Sequence, residues 1–303
     1  MITLKKIRDL DVAPGAVAGM AHLSAASGLV RAGSFLYVVA DDELHLGIFR
    51  TTGRDPGELV RLFDGTLPMP KAARKRDKPD LEALTLLPPS ADFPQGAMLA
   101  LGSGSTQNRH RGVLLGLDAQ GALCGKPRIL DLDSVFSCLG VFRELNIEGA
   151  TVCGDELRLF QRGSKGDNPN AIIRFSLPAF LAALNGTTDR AIEPPGIQSI
   201  DLGAIDGIPF TFTDAAVLPD GEVLFTAVAE DTADSYNDGP CTGAVIGVLD
   251  RECRVNRLLR LDVPLKVEGV DARVEGNIIS LPLVTDADDP SIPAGLFSAT
   301  MER

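Results

Sequence analysis

The chain has 303 residues, 45% of them hydrophobic, and no charge-rich or low-complexity tract, so it carries enough apolar material for a large core. Its net charge of −12 argues against sequence-independent binding to nucleic acid or an anionic membrane, because both need a cationic surface. No stretch approaches the roughly 18 apolar residues of a membrane span. The N-terminal MITLKKIRDLDVAPG has no apolar run of the secretory kind, so a cytoplasmic location is expected.

In chain order, the first element is a strand at 2–10 (ITLKKIRDL) with no partner near it in sequence. A unit of four short strands follows: GLVRAG, FLYVVAD, HLGIFR and GELVRLFD. The second unit reads ALTLLP, AMLALGSG, GVLLGLD and KPRILDLD, and the third GATVCG, ELRLFQRG, AIIRFSL and GIQSIDLG. The fourth reads AAVLPDG, EVLFTAVAE, GAVIGVLD and VNRLLRLD. The fifth has only three strands: GVDARVEG, IISLPLVTD and AGLFSATM. Short apolar runs punctuated by Gly, Pro, Asp and Asn are the signature of an all-β chain. Two short helices are expected as insertions, at 133–145 behind an Asp cap and at 176–186 ahead of Asn-Gly.

Four of the units open on an acid, and Glu82, Glu148, Asp214 and Glu268 stand 66, 66 and 54 residues apart. A further step of 55 back reaches Ser27, where the acid is a serine. Self-similarity at this period predicts a five-bladed β-propeller of four-stranded blades, its ring closed by the N-terminal strand, with six blades as the alternative. No linker interrupts the pattern, so residues 1–303 are expected to form one domain. The five cysteines (Cys124, Cys138, Cys153, Cys241, Cys253) show no Cys-x-x-Cys spacing and read as reduced thiols.

In such a blade the first strand lines the channel, so the four acids should converge on one mouth. The loops between second and third strands should surround them: 41–43, 103–112, 161–170, 229–240 and 285–291. Two roles are open for the acids. They accept backbone N–H groups of the next blade and lock the ring, or they hold a hard divalent cation such as Ca²⁺. Bases crowd the same region: Lys71, Arg74, Lys75, Arg76 and Lys78 just before Glu82, then Arg109 and Arg111, then Arg162 and Lys165. They read as charge compensation on a solvated loop, or as a site for an anionic ligand, with Arg76, Arg109, Arg162 and Asn168 as ligand-binding candidates.

His22, His45 and His110 share no zinc spacing, and only His110 falls in a mouth loop, where it is a solvated side chain or a general base. GSGS (102–105) and RGSKGD (162–167) match neither a nucleophile elbow nor a phosphate-binding loop. No catalytic residue is assigned.

The strings KPDLEALT, LNIEGATV, TDAAVLPDGEVLF and KVEGVDA, with Arg-Gly and Asn in a second-to-third loop, resemble the bacterial phytase-like propellers grouped by an esterase-like activity. These belong to the wider circle of gluconolactonase- and regucalcin-type propellers. The resemblance implies a cation on the top face, often calcium, and hydrolysis of phosphate esters or lactones. Carried over by position, it makes Glu82, Glu148, Asp214 and Glu268 the metal ring, with Arg162 and Asn168 beside it. The chain departs from the gluconolactonase-type pattern in having a nearly all-acidic ring, where that pattern mixes acids with Asn. The rival function is a non-catalytic propeller that binds a small anion or a protein partner.

Overall fold

A computed structural model of the chain describes residues 1–17, 19–164, 168–184, 195–232 and 239–303. After β1 (Lys5–Asp9), blade 1 comprises β2 (Ala26–Ala32), β3 (Phe35–Ala40), β4 (His45–Arg50) and β5 (Glu58–Arg61). Blade 2 comprises β6 (Leu81–Leu87), β7 (Ala97–Gly102), β8 (Arg111–Leu117) and β9 (Leu123–Asp131). Blade 3 comprises β10 (Ile147–Cys153), β11 (Glu156–Gln161), β12 (Asn170–Ser176) and β13 (Gly196–Ile200). A two-residue hairpin, β14 (Ala204–Ile205) and β15 (Ile208–Pro209), turns through Asp206 and Gly207 at φ 51° and 81°, the paired left-handed conformation that suits Asp-Gly.

Blade 4 comprises β16 (Thr211–Val217), β17 (Val223–Glu230), β18 (Cys241–Leu249) and β19 (Val255–Arg260). Blade 5 has an interrupted inner strand, β20 (Val267–Val270) and β21 (Arg273–Glu275), then β22 (Ile278–Thr285) and β23 (Gly295–Glu302). Its fourth strand is β1, paired antiparallel with β23 from Lys5↔Ser298 to Asp9↔Gly295. The five four-stranded antiparallel sheets form a five-bladed β-propeller, closed by joining the two ends of the chain. Closure leaves no long inner edge open to pairing.

The inner strands touch in ring order, β2 to β6, β6 to β10, β10 to β16, β16 to β20, and β20 back to β2. Each has a bulge near its start, where one residue lacks an opposite number on the second strand. The bulged residues are Ser27, Glu82, Glu148, Thr213 and Glu268. The following residue is Gly28, Ala83, Gly149, Asp214 or Gly269. It has to be small where the next blade comes close: a Cβ on Gly149 would lie 3.1 Å from backbone atoms of Asp214 and Ala215. Five apolar clusters fill the five blade interfaces. Burial of these faces is the dominant stabilising term.

The helices differ from expectation. The first, α1 (Lys71–Asp77), lies in the basic stretch that reads as a loop. Alanines and long straight-chain residues favour helix there, and Pro70 pre-sets its start. The second, α2 (Asp133–Ser137), is much shorter than 133–145. Its cap position is Leu132, because the Asp133 carboxylate is drawn off to Gln107 and His110 instead. The third, α3 (Leu177–Leu184), falls where expected, but the Asn-Gly stop and the NGT sequon at 185–187 lie outside the described residues.

Candidate functional site

The bulges aim side chains at one end of the channel, where a cavity of about 640 Å³ opens. Residues two apart near a strand start share a face. The position two before each bulge therefore joins the lining: Ala25, Asp80, Asn146, Thr211 and Lys266, alongside Ser27, Glu82, Glu148 and Glu268. All five second-to-third loops reach the cavity, through Asp41, Arg109, Arg162, Glu230 and Asp286 among others. Carboxylates outnumber cationic side chains among the described lining residues.

On the side of blades 3 to 5, the chain supplies its own cations. Arg162 Nη2 lies 2.6 Å from Glu230 Oε2, while its Nη1 lies 3.3 Å from Glu148 Oε1 and 3.9 Å from Glu268 Oε1. Lys266 Nζ lies 3.4 Å from Glu230, 3.5 Å from Glu268 and 2.6 Å from Asp288. Asn146 Nδ2 donates to Glu148 Oε1 at 2.6 Å. Burial pushes the carboxyls of Glu148 and Glu268 up, against the pull of Arg162 and Lys266. Burial also works against charge on Arg162 and Lys266, but the surrounding carboxylates outweigh it and hold both protonated.

Blades 1 and 2 present a different face. One carboxylate oxygen from each of Asp41, Asp80 and Glu82 lies within 4.8 Å of the others. Asp80 is held at φ 57°, a left-handed conformation costly for a residue with a Cβ. Arg109 Nη1 at 2.7 Å and Lys78 Nζ at 2.8 Å fix its carboxylate, and Lys78 also pairs with Asp41. Asp41 Oδ1 is buried with no hydrogen bond, as are Glu230 Oε1 and Glu268 Oε1 across the channel. Burial, then Glu148, Asp80 and Asp41, push the Glu82 carboxyl well above its ordinary range. Three carboxyl groups share two cations, and the upward shift of Glu82 relieves the negative charge that full ionisation would leave.

The structure thus brings Glu82, Glu148 and Glu268 to the mouth, with Arg109 and Arg162. Asp214 does not join them. It sits one residue past the bulge, fully buried between blades, and its Oδ2 accepts the backbone N–H of Val270 at 2.8 Å. The bulge residue there is Thr213, whose Oγ1 donates to Val267 O at 2.7 Å, as Ser27 Oγ donates to Leu81 O at 2.8 Å. Arg76 points away from the cavity, with its side chain 72% exposed beside Asp77. Asn168 is buried outside the cavity, where Nδ2 donates to Glu144 O. Lys165 and the middle of the 229–240 loop (233–238) lie outside the described residues. His110 is held by Asp133 and by Gly104 O, away from the cavity, whereas His45 lines it.

Asp41, Asp80, Lys266 and His45 are among the lining residues not singled out as site residues from sequence. For Asp80 and Lys266 a signal existed: each stands two residues before an acid of the repeat.

A family model matches residues 22–301, nearly the whole propeller. The chain belongs to DUF6929, a family of unknown function. No curated protein matches this family member in sequence. Solved structures similar to it share the propeller fold at low identity. A mannose phosphorylase from Leishmania mexicana, in complex with phosphate ion, is 13% identical; the match covers 97% of this chain and 88% of that one, with a TM-score of 0.50. A luciferin-regenerating enzyme is 10% identical over 99% and 95% of the two chains, with a TM-score of 0.43. A protein provisionally assigned as a gluconolactonase is 11% identical over 100% and 92%, with a TM-score of 0.41. Among the described residues, no helix is long and apolar enough to cross a membrane.

Proposed function

We propose that the channel mouth is the active site of a divalent-cation-dependent hydrolase acting on a small neutral ester or lactone. The observation that carries this reading is the face of Asp41, Asp80 and Glu82, three oxygens within 4.8 Å of one another, with Asp41 Oδ1 buried and without a hydrogen bond. Hard cations such as Ca²⁺ take oxygen ligands of this kind, and an orphaned buried acceptor is costly without one. Asp41, Asp80 and Glu82 would hold the ion. When bound, it supplies polarisation of the ester carbonyl. Glu148 and Glu268 each pair with Arg162 or Lys266, whereas Lys78 and Arg109 pair with Asp41 and Asp80 and leave Glu82 outside their ion pairs, so the ion is placed on that side.

Charge decides the substrate class. Arg109, Arg162, Lys78 and Lys266 each face carboxylates of the protein, so none is a dedicated anion receptor. A phosphate ester or another anionic ligand would have to depend on the bound cation or on Arg61 and Lys71, which line the cavity outside these pairs. A neutral ester needs no such counter-charge.

The test is hydrolysis of δ-valerolactone, followed by pH-stat, and of p-nitrophenyl phosphate, each with EDTA and then with Ca²⁺, Mg²⁺ or Mn²⁺. Lactone turnover that needs a cation and is lost in Asp41→Asn or Glu82→Gln is the expected result. Absence of turnover of either compound with every cation would favour a non-catalytic binding propeller.

A further inference from the structure

His45 lines the mouth, yet neither the repeat nor the carboxylate clusters account for it. It opens β4, is only 7% exposed, and lines the same cavity as Asp41, Asp80 and Glu82. Its Nδ1 is buried with no hydrogen-bond partner. The group facing that nitrogen is Glu43, whose Oε2 lies 4.0 Å away. Glu43 is itself fixed from behind: its Oε1 accepts from Arg74 Nη2 at 3.0 Å. Arg74, on α1, is anchored in turn on Asp42, with Nε 2.7 Å from Oδ2 and Nη2 2.6 Å from the backbone oxygen. The other two histidines have partners. His110 bonds Asp133 and Gly104 O, and His22 Nε2 lies 3.2 Å from Pro290 O.

A buried imidazole nitrogen without a partner is destabilising, so the position has to be explained by something other than packing. An imidazole that lines a cavity, with a fixed carboxylate behind one nitrogen, has the form of an oriented base. Such hydrogen bonds are often long in a ligand-free site and shorten when the ligand closes it, which suits the 4.0 Å gap. Histidine is also the side chain whose ordinary range allows both proton uptake and release near neutrality.

We propose that His45 is the proton-transfer residue of the ester hydrolysis inferred above, with Glu43 and Arg74 as positioning residues. His45 Nε2 takes a proton from water as the water oxygen bonds to the ester carbonyl carbon. The imidazolium is then stabilised by Glu43 at Nδ1. The proton passes from Nε2 to the leaving oxygen as its bond to that carbon breaks. One water is consumed, a carboxylic acid and an alcohol (one hydroxy acid, for a lactone) are formed, and His45 returns neutral.

This proposal rests on the hydrolase reading, and the experiment separates the two. Wild type, His45→Ala, His45→Gln and Glu43→Gln are compared on δ-valerolactone with the cation that supports turnover, with melting temperatures measured alongside. In folded His45 variants kcat falls at least about a hundred-fold. Added imidazole restores part of the His45→Ala rate, above its protein-free background. Glu43→Gln lowers kcat with KM little changed. An active wild type whose folded His45 variants keep their kcat, or whose His45→Ala gains nothing from imidazole, overturns the role of His45 alone. An inert wild type overturns the hydrolase reading and this step with it. The ring ¹⁵N spectrum adds a readout independent of activity: His45 is expected as the Nδ1–H tautomer, and an Nε2–H tautomer would contradict the placement.

Discussion

Thr213 Oγ1 donates a 2.7 Å hydrogen bond to the carbonyl oxygen of Val267, joining the inner strands of blades 4 and 5 at the bulge. Ser27 makes the same bond to Leu81 between blades 1 and 2. At these two bulges a hydroxyl holds one blade to the next, and at the other three a glutamate faces the cavity. The repeated position therefore has two uses, divided between residue types.

The hydroxyl lock is testable by deletion. Thr213→Val keeps the shape of the side chain and removes the donor, and Thr213 is fully buried. Loss of that bond should destabilise the fold by about 1–2 kcal/mol, while Thr213→Ser should recover most of the loss. Chemical denaturation of the three proteins measures this. Equal stability of the valine variant would show that the bond contributes nothing.

Thr213 also marks where the sequence misleads. The string TFTDAAVL offers an acid at Asp214, which matches the acids of the other blades better than a threonine does. In a strand, a slip of one residue moves a side chain to the opposite face. Asp214 accordingly points into the next blade and serves Val270 N–H rather than the mouth. Blade number, the closing strand and the loops around the mouth were legible, because turns and apolar runs repeat with the period of the fold. The pairing of Asp41 with Asp80 and Glu82 was not legible. It joins a loop of blade 1 to the first strand of blade 2, and spacing within one unit carries no trace of that contact.

Arg162 should be among the most sensitive residues in the chain. It faces Glu148, Glu230 and Glu268, all nearly buried. Arg162→Leu leaves these carboxylates short of a cation and should destabilise the fold by about 3–5 kcal/mol at neutral pH. The defect should shrink as pH falls, since protonated carboxyls no longer need the guanidinium. Thermal melts of the variant and wild type between pH 5 and 8 test this, and a defect that grows in acid would contradict it.

Asp271 predicts a pH dependence of the opposite kind to an ordinary salt bridge. It links blade 5 to blade 1, accepting the N–H groups of Ala272 at 2.8 Å and Arg31 at 2.9 Å. Burial, opposed by those two amides, pushes its carboxyl up to about 6. A raised folded-state value means that the contribution is fully present below the ordinary range near pH 4 and is lost as pH rises through about 6. The stability of wild type relative to Asp271→Asn should therefore fall by roughly 1–3 kcal/mol from pH 4 to pH 8. A relative stability that rises over this range would mean that the carboxylate is favoured, not disfavoured, by its site.

The cation proposed at Asp41, Asp80 and Glu82 has its counterpart across the channel in Arg162 and Lys266. The most direct measurement is the melting temperature of wild type, Glu82→Gln and Glu268→Gln, each after EDTA and then with increasing Ca²⁺. An ion that binds only the folded state raises the midpoint in a concentration-dependent way. A rise in wild type that persists in Glu268→Gln and disappears in Glu82→Gln is the predicted result. A wild type indifferent to Ca²⁺, Mg²⁺ and Mn²⁺, or a rise lost in Glu268→Gln and kept in Glu82→Gln, would contradict it.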